Sequence, residues 1–160
     1  MRHAKSSWDF PELNDHQRPL NDRGRRDAPR MGRLLKNEKL IPDLIICSDA
    51  VRAKTTARIV AEELKFKEKV VETHDLYGSG EEGYRNVICQ VPNLIGTLLI
   101  VGHNTTLEDL IYALKGEDVR FPTAALAHFE CAIEDWKDFT LEIKSKCVRI
   151  YKPKELPQDL

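Results

Sequence analysis

Apolar residues in this chain fall into two kinds of run. Asp43-Leu44-Ile45-Ile46-Cys47 and Thr97-Leu98-Leu99-Ile100-Val101 are short and nearly continuous, the pattern of parallel strands covered on both faces. Elsewhere the apolar positions recur at helical spacing. Met31, Leu34 and Leu35 follow Asn21. Ala53, Ala57, Val60, Ala61 and Leu64 follow Asp49, and Leu107, Leu110, Ile111 and Leu114 follow Thr105. Asn21 and Asp49 read as N-caps, Thr105 with Glu108 as a capping box, and Gly116 as a helix stop. Pro29 lies inside the first helix and predicts a kink or a late start there.

The remaining segments are less regular. Asp9 to Leu20, broken by Pro11 and Pro19, reads as a polar surface loop, and Lys69 to Glu72 as a weak strand. Gly78, Ser79, Gly80 and Gly83 make the stretch from Asp75 to Gly83 a flexible loop, followed by a helix from about Tyr84 to Cys89 or beyond. In the last third, Ala127, Phe129, Cys131 and Ile133 alternate with His128 and Glu130. Leu141 to Ile150 is again strand-like after a turn holding Asp135 and Trp136, and Pro153 and Pro157 mark a tail over 153–160.

Alternating strands and helices predict an α/β fold, a three-layer α/β/α sandwich. Its sheet is expected to be mostly parallel, with at least one antiparallel strand from the C-terminal third. At 160 residues, 41% hydrophobic and 32% charged, residues 1–160 suit one domain. A formal net charge of -1 gives no global pull toward nucleic acid or an anionic membrane, and the basic cluster from Arg23 to Arg33 reads as a solvated helix face. Cys47, Cys89, Cys131 and Cys147 are scattered without metal-ligand spacing and read as free thiols in a reducing compartment. No signal peptide or bilayer-length apolar run is evident.

Three segments carry candidate chemistry. Arg2-His3-Ala4 sets a guanidinium beside an imidazole, a pair suited to phosphoryl groups: one holds oxygens in bidentate fashion while the other supplies a nitrogen nucleophile. The element Ser48-Asp49-Ala50-Val51-Arg52-Ala53-Lys54-Thr55-Thr56-Ala57 follows the first strand and places Arg52 in a first helical turn, near N–H groups that favour anions. Val101-Gly102-His103-Asn104 leaves the second strand at its carboxyl end, where α/β sheets bind ligands. His16, His74 and His128 lie in no such motif and read as loop or strand-surface histidines.

These segments resemble the signatures of the histidine phosphatase (phosphoglycerate mutase-like) superfamily: Arg-His-(Gly/Ala), Ser-x-x-x-Arg-Ala-x-x-Thr-Ala and Gly-His-Asn, in order and over nearly the whole chain. Within it the chain looks like the short SixA-type phosphohistidine phosphatases. The resemblance implies His3 as nucleophile and transient phosphate carrier, with Arg2, Arg52 and His103 on the phosphoryl oxygens. Lys5, Ser6, Arg18 and Asn104 are implied as substrate-binding residues. For the general acid it leaves Glu72 and Asp75 open. No metal and no cofactor are implied. Family logic also demands a central strand before Arg2, so the first central strand is expected to be missing before Met1.

The resulting expectation is a metal-independent phosphatase acting through a phosphohistidine intermediate, with a phosphohistidine protein as substrate. A phosphatase of small phosphate esters remains open, as does a non-catalytic phosphate-binding module. The expected partner is therefore a phosphate-bearing molecule, not nucleic acid or membrane. A cytoplasmic monomer is expected, or an organellar one if an N-terminal segment is missing.

Overall fold

The computed structural model of the chain describes residues 1–157 and 160. Three strands form a parallel sheet: β1 (Leu44–Ser48) lies between β2 (Val71–Thr73) and β3 (Leu98–Val101). Two more, β4 (Leu126–Cys131) and β5 (Ser145–Tyr151), pair antiparallel, with an irregularity between His128 and Phe129. Among the described residues, five α-helices complete the fold: α1 (Asp22–Asn37), α2 (Val51–Leu64), α3 (Asp75–Gly78), α4 (Gly80–Cys89) and α5 (Thr106–Lys115).

The two-residue period of a strand sends its side chains to opposite faces, and here that period divides the core. Ile45 and Cys47 of β1 join Leu99 and Val101 of β3 in a cluster with Met31, Leu34 and Leu35 of α1 and Ala57 and Val60 of α2. Ile46, between them, points the other way, into a cluster with Leu76, Tyr84 and Ile88 before and within α4 and Leu107, Leu110 and Ile111 of α5. Each fully buried Ile, Leu or Val contributes about 1.5–3 kcal/mol, so both faces of β1 are needed to hold the layers.

An isolated parallel bridge between Arg2 and Gly102 joins the first residues to the end of this sheet. Met1 O accepts from Gly102 N, His3 N donates to Gly102 O, and on the other side Arg2 N donates to Ala125 O while Ala124 N donates to His3 O. Met1 to His3 thus bridge the end of β3 and the approach to β4. The expected leading strand concerns the region beside Met1. There, among the described residues, β3 and β4 belong to separate sheets, and Met1, Leu99, Ile100, Leu126 and Phe129 help line a cleft of about 570 Å³.

Local departures from the sequence reading have physical causes. Helix α1 starts at Asp22, where Asn21 Oδ1 accepts from Gly24 N, and runs through Pro29 without a late start. Asp49 does not cap α2. That N-cap is Ala50, and both Asp49 oxygens are taken by imidazoles. Thr105 makes no side-chain cap, and Glu108 instead accepts from Phe121 N. The glycine-rich stretch is helical in α3 and the start of α4 because Leu76 and Tyr84, both about 1% exposed, anchor it against the sheet. The tail over 153–160 is docked as far as it is described: Arg30 donates to the carbonyls of Pro153, Leu156, Pro157 and Leu160, while residues 158 and 159 lie outside the described residues.

Gly102 is required where β3 ends. The Tyr84 hydroxyl, which donates to Leu76 O and accepts from His103 N, occupies the space that a Cβ on Gly102 would need. Gly102→Ala is therefore expected to destabilise the fold by about 1–3 kcal/mol, the usual cost of overpacking. Urea denaturation checks this, and a variant as stable as the parent would show that Tyr84 moves freely.

Candidate active site

His3, Arg52 and His103 converge at the carboxyl ends of the parallel strands. The Thr56 hydroxyl donates to Arg52 O and accepts from Ala4 N, which ties the N-terminal segment to the first turns of α2. His3 Nδ1 lies 2.7 Å from Ala4 O; a carbonyl only accepts, so the proton is on Nδ1 and Nε2 carries the lone pair. Arg52 Nε donates to that Nε2 across a long 3.3 Å, and Arg52 Nη2 reaches His103 Nδ1 at 3.4 Å. A guanidinium only donates, so His103 Nδ1 accepts and its proton sits on Nε2. The two imidazole centroids are 5.0 Å apart.

Both imidazoles are held neutral. Burial lowers His3 to about 3, helped by His103, Arg52 and Arg2 and resisted by the bond to Ala4. Burial, then Arg52, lowers His103 to about 4. Burial first, and the neighbouring Arg52 second, oppose a protonated His103 in the unliganded pocket. An entering phosphoryl group would reverse that charge balance and favour the imidazolium.

Arg2 and Asn104 share an anchor. Arg2 Nη1 and Asn104 Nδ2 both donate to Phe121 O, at 2.9 and 2.8 Å. Among the described residues, the buried side-chain atoms without a hydrogen-bond partner are Arg2 Nε, His103 Nε2 and Asn104 Oδ1. An unpaired buried polar group costs about 1–3 kcal/mol. All three belong to the segments at the strand ends, and two are donors suited to an oxyanion.

The other sequence candidates are placed differently. Arg18, 8% exposed, bonds Asp15 and Ser7 O and lies 3.5 Å from the Trp8 ring centre. Ser6 is buried and bridges to Leu20, and Lys5 O accepts from Asn21 N. Glu72 is paired with Arg58 and Lys54 on the outer side of α2, and Asp75 bonds only to Thr73. Neither carboxylate bonds His3, Arg52 or His103.

Sequence reasoning missed Asp15 and Tyr77. Asp15 belongs to a single 3₁₀ turn, Asp15–Gln17, closed by a capping box between Asn14 and Gln17; that pairing was the signal available in the sequence. Its carboxylate meets Arg52 Nη2 at 2.9 Å and the Tyr77 hydroxyl at 2.8 Å. Partial burial pushes Asp15 up, but Tyr77, Arg52 and Arg18 outweigh it and hold the carboxyl at about 2. Tyr77 stands edge-on to His103, with centroids 5.5 Å apart.

The depressed imidazole values have a testable consequence. In the unfolded chain both imidazoles take up protons near 6.5, whereas the folded chain resists until about 4 and 3. Between those limits the unfolded state binds more protons, so stability falls as pH drops from 6.5 and the loss is complete below about 3. Imidazole NMR titration of the unliganded protein should give midpoints near 3 and 4 for His3 and His103, and ordinary midpoints near 6.5 would contradict the geometry.

Two imidazoles and two guanidiniums gathered at the strand ends of an α/β fold suit a phosphoryl group. The comparisons make the class specific. Residues 1–77 match the model of the histidine phosphatase superfamily, branch 1. An uncharacterised chloroplastic protein of Arabidopsis thaliana is 30% identical over 148 residues, 86% of this chain and 67% of that protein. An uncharacterised Mycobacterium tuberculosis protein is 32% identical over 152 residues, 86% of this chain and 90% of its own. Among solved structures, a candidate phosphohistidine phosphatase SixA from Agrobacterium tumefaciens has a TM-score of 0.81 at 26% identity, covering 96% of this chain and 95% of that one. At the level of fold alone, protein histidine phosphatase SixA in complex with tungstate has a TM-score of 0.83 at 21% identity, covering 98% and 97%. A mycobacterial glucosyl-3-phosphoglycerate phosphatase has 0.67 at 14%, covering 91% and 93%.

The chain belongs to the histidine phosphatase superfamily, with a SixA-like fold. Family and fold support a phosphatase hydrolase. No helix among the described residues is long and apolar enough to cross a membrane.

Proposed function

We propose that this protein removes phosphate from phosphohistidine on a protein, through its own phosphohistidine at His3 and without a metal in the chemical step. The observation that carries this reading is the pair of fixed tautomers: a lone pair on His3 Nε2 beside an unpartnered N–H on His103 Nε2, with Arg52 bonded to both rings. His3 Nε2 attacks phosphorus and forms an N–P bond. The substrate's P–N bond breaks, and its electron pair leaves with the departing imidazole, which takes a proton from water. Arg2, Arg52 and His103 hold the phosphoryl oxygens, where most of the catalysis of phosphoryl transfer lies. Water then attacks phosphorus, loses a proton, and returns the N–P electron pair to Nε2.

Leaving-group chemistry favours this substrate. Asp15 is the carboxylate bonded to Arg52, and at about 2 it is ionised at neutral pH and has no proton to give. An imidazole leaves from phosphorus readily, whereas an alkoxide needs a stronger acid.

The test is a panel of a phosphohistidine peptide against sugar and nucleotide phosphates. Higher kcat/KM on the peptide is expected. Equal or better turnover of the small esters would favour a small-ester phosphatase. Phosphate binding without turnover of any substrate would mark a binding module.

A further inference from the structure

Beyond the phosphoryl pocket, three polar side chains meet at its rim on separate parts of the chain. His16 comes from the Asp15–Gln17 turn, Asp49 follows β1, and His74 follows β2. His16 Nε2 is 2.8 Å from Asp49 Oδ1, and His74 Nδ1 is 2.9 Å from Asp49 Oδ2. The ligand atoms all lie within 4.8 Å of one another. We infer that His16, Asp49 and His74 form a binding site for a divalent transition-metal ion, zinc being the best match to two imidazoles and a carboxylate.

The backbone holds these donors in position. The turn carrying His16 is closed by reciprocal bonds between Asn14 and Gln17, and Asp49 N donates to Thr73 O. Packing fixes the rings. Tyr77 meets the His16 ring edge-on at 4.9 Å and the His74 ring at 5.5 Å, and the two imidazoles are 5.9 Å apart. Zinc bonds nitrogen and carboxylate oxygen at about 2.0–2.2 Å, so neighbouring ligand atoms in a tetrahedral shell stand a little over 3 Å apart. The two imidazole–carboxylate separations are already close to that. Small side-chain rotations would exchange the two imidazole–carboxylate contacts for metal bonds, each ligating nitrogen giving up any proton it carries to the other ring nitrogen or to solvent.

Burial and charge agree with an ion that exchanges with solvent. The Asp49 side chain is 31% exposed, that of His16 33% and that of His74 71%. Asp49 is the carboxylate of the set, and each of its two oxygens already faces an imidazole nitrogen. Three protein ligands leave at least one coordination position for water or an anion. Tyr77 separates this site from His103, so an ion there adds positive potential beside the pocket without touching the His3 reaction. Spacing motifs could not reveal the set, because its members are 33 and 25 residues apart.

Calorimetric titration of chelator-treated full chain with zinc tests the proposal. Imidazole NMR then locates the ion, since four free cysteines offer rival ligands. One saturable equivalent is expected, shifting His16 and His74 together and leaving His128 unmoved. Loss of a second-shell partner already costs about 10–100-fold in metal affinity, so His74→Ala and His16→Ala should each weaken binding at least tenfold. His74→Cys, which keeps a ligand, should retain more affinity than His74→Ala. Absence of saturable binding, affinity unchanged in His74→Ala, or an ion located on the cysteines would overturn the site. None of these readouts depends on turnover, so they stand apart from the proposed phosphatase activity.

Discussion

His3→Ala is expected to lower turnover of every phosphorylated substrate by roughly 10⁴-fold or more, the scale of deleting a covalent nucleophile. The chain should stay folded. His3 is small in contact terms: its side chain gives one bond to the neighbouring Ala4 carbonyl and receives one from Arg52, while the backbone bonds to Gly102 and Ala124 survive the change. Removing a buried imidazole that must stay neutral also relieves an acid sensitivity, so the variant should lose less stability than the parent on acidification below 6.5. Burst and steady-state kinetics on the parent and variant check the first part, and thermal melts at two pH values check the second. Substantial residual turnover would assign the nucleophile elsewhere.

Arg52→Ala should be the next most damaging change. A single guanidinium here bonds His3 Nε2, His103 Nδ1, the Asp15 carboxylate and the Asp15 carbonyl. Loss of one preorganised donor costs about 2.7–4 kcal/mol of barrier, and of a phosphoryl-transfer arginine up to about 10³–10⁵ in kcat. A fall of roughly 10³-fold in kcat/KM is expected. Arg52→Lys should not restore it, because a lysine ammonium cannot reach both rings and the carboxylate with one planar fork. The same variant carries an independent signature. Arg52 is among the groups that lower both imidazoles, so its removal should raise the titration midpoints of His3 and His103, while burial keeps them below 6.5. Unchanged midpoints would mean that Arg52 does not face those rings in solution.

Those effects come from residues that could be read in the sequence because their positions are dictated by strand ends. Ile45 to Cys47 and Leu98 to Val101 show as strands since both faces are covered and the apolar run is unbroken. Arg52 and His103 then follow within a few residues of the two strand ends. Where tertiary packing overrules local preference, the pattern misleads. Gly78, Gly80 and Gly83 spell a loop, yet Leu76 and Tyr84 are buried so completely that the segment is drawn into α3 and α4. Asp49 has the chemistry of a cap and the position for one, but two imidazoles from distant segments compete for its oxygens. Asp15 was hidden for a related reason: the loop from Asp9 to Leu20 carries three carboxylates, Asp9, Glu12 and Asp15, and beyond the Asn14–Gln17 capping pattern it is the fold back onto Arg52 that distinguishes one of them.

Arg2 shows the limit of reading one motif in isolation. It sits beside His3 in the chain, but its guanidinium is directed to Phe121 O, together with Asn104 Nδ2. Glu108 holds the same residue through Phe121 N. The loop before β4 thus sets where the Arg2 guanidinium, one of the proposed phosphate donors, stands, a dependence that no segment of the sequence displays.

In the proposed reaction, phosphate passes through one particular nitrogen of this chain. Rapid quenching of the enzyme with substrate under alkaline conditions, followed by peptide mapping and phosphorus NMR, measures it directly. Because His3 Nδ1 donates to the Ala4 carbonyl, the phosphoryl group should be on His3 Nε2, acid-labile, and absent in His3→Ala. Phosphate on Nδ1, on another residue, or on no residue of a chain that still turns over would contradict the account.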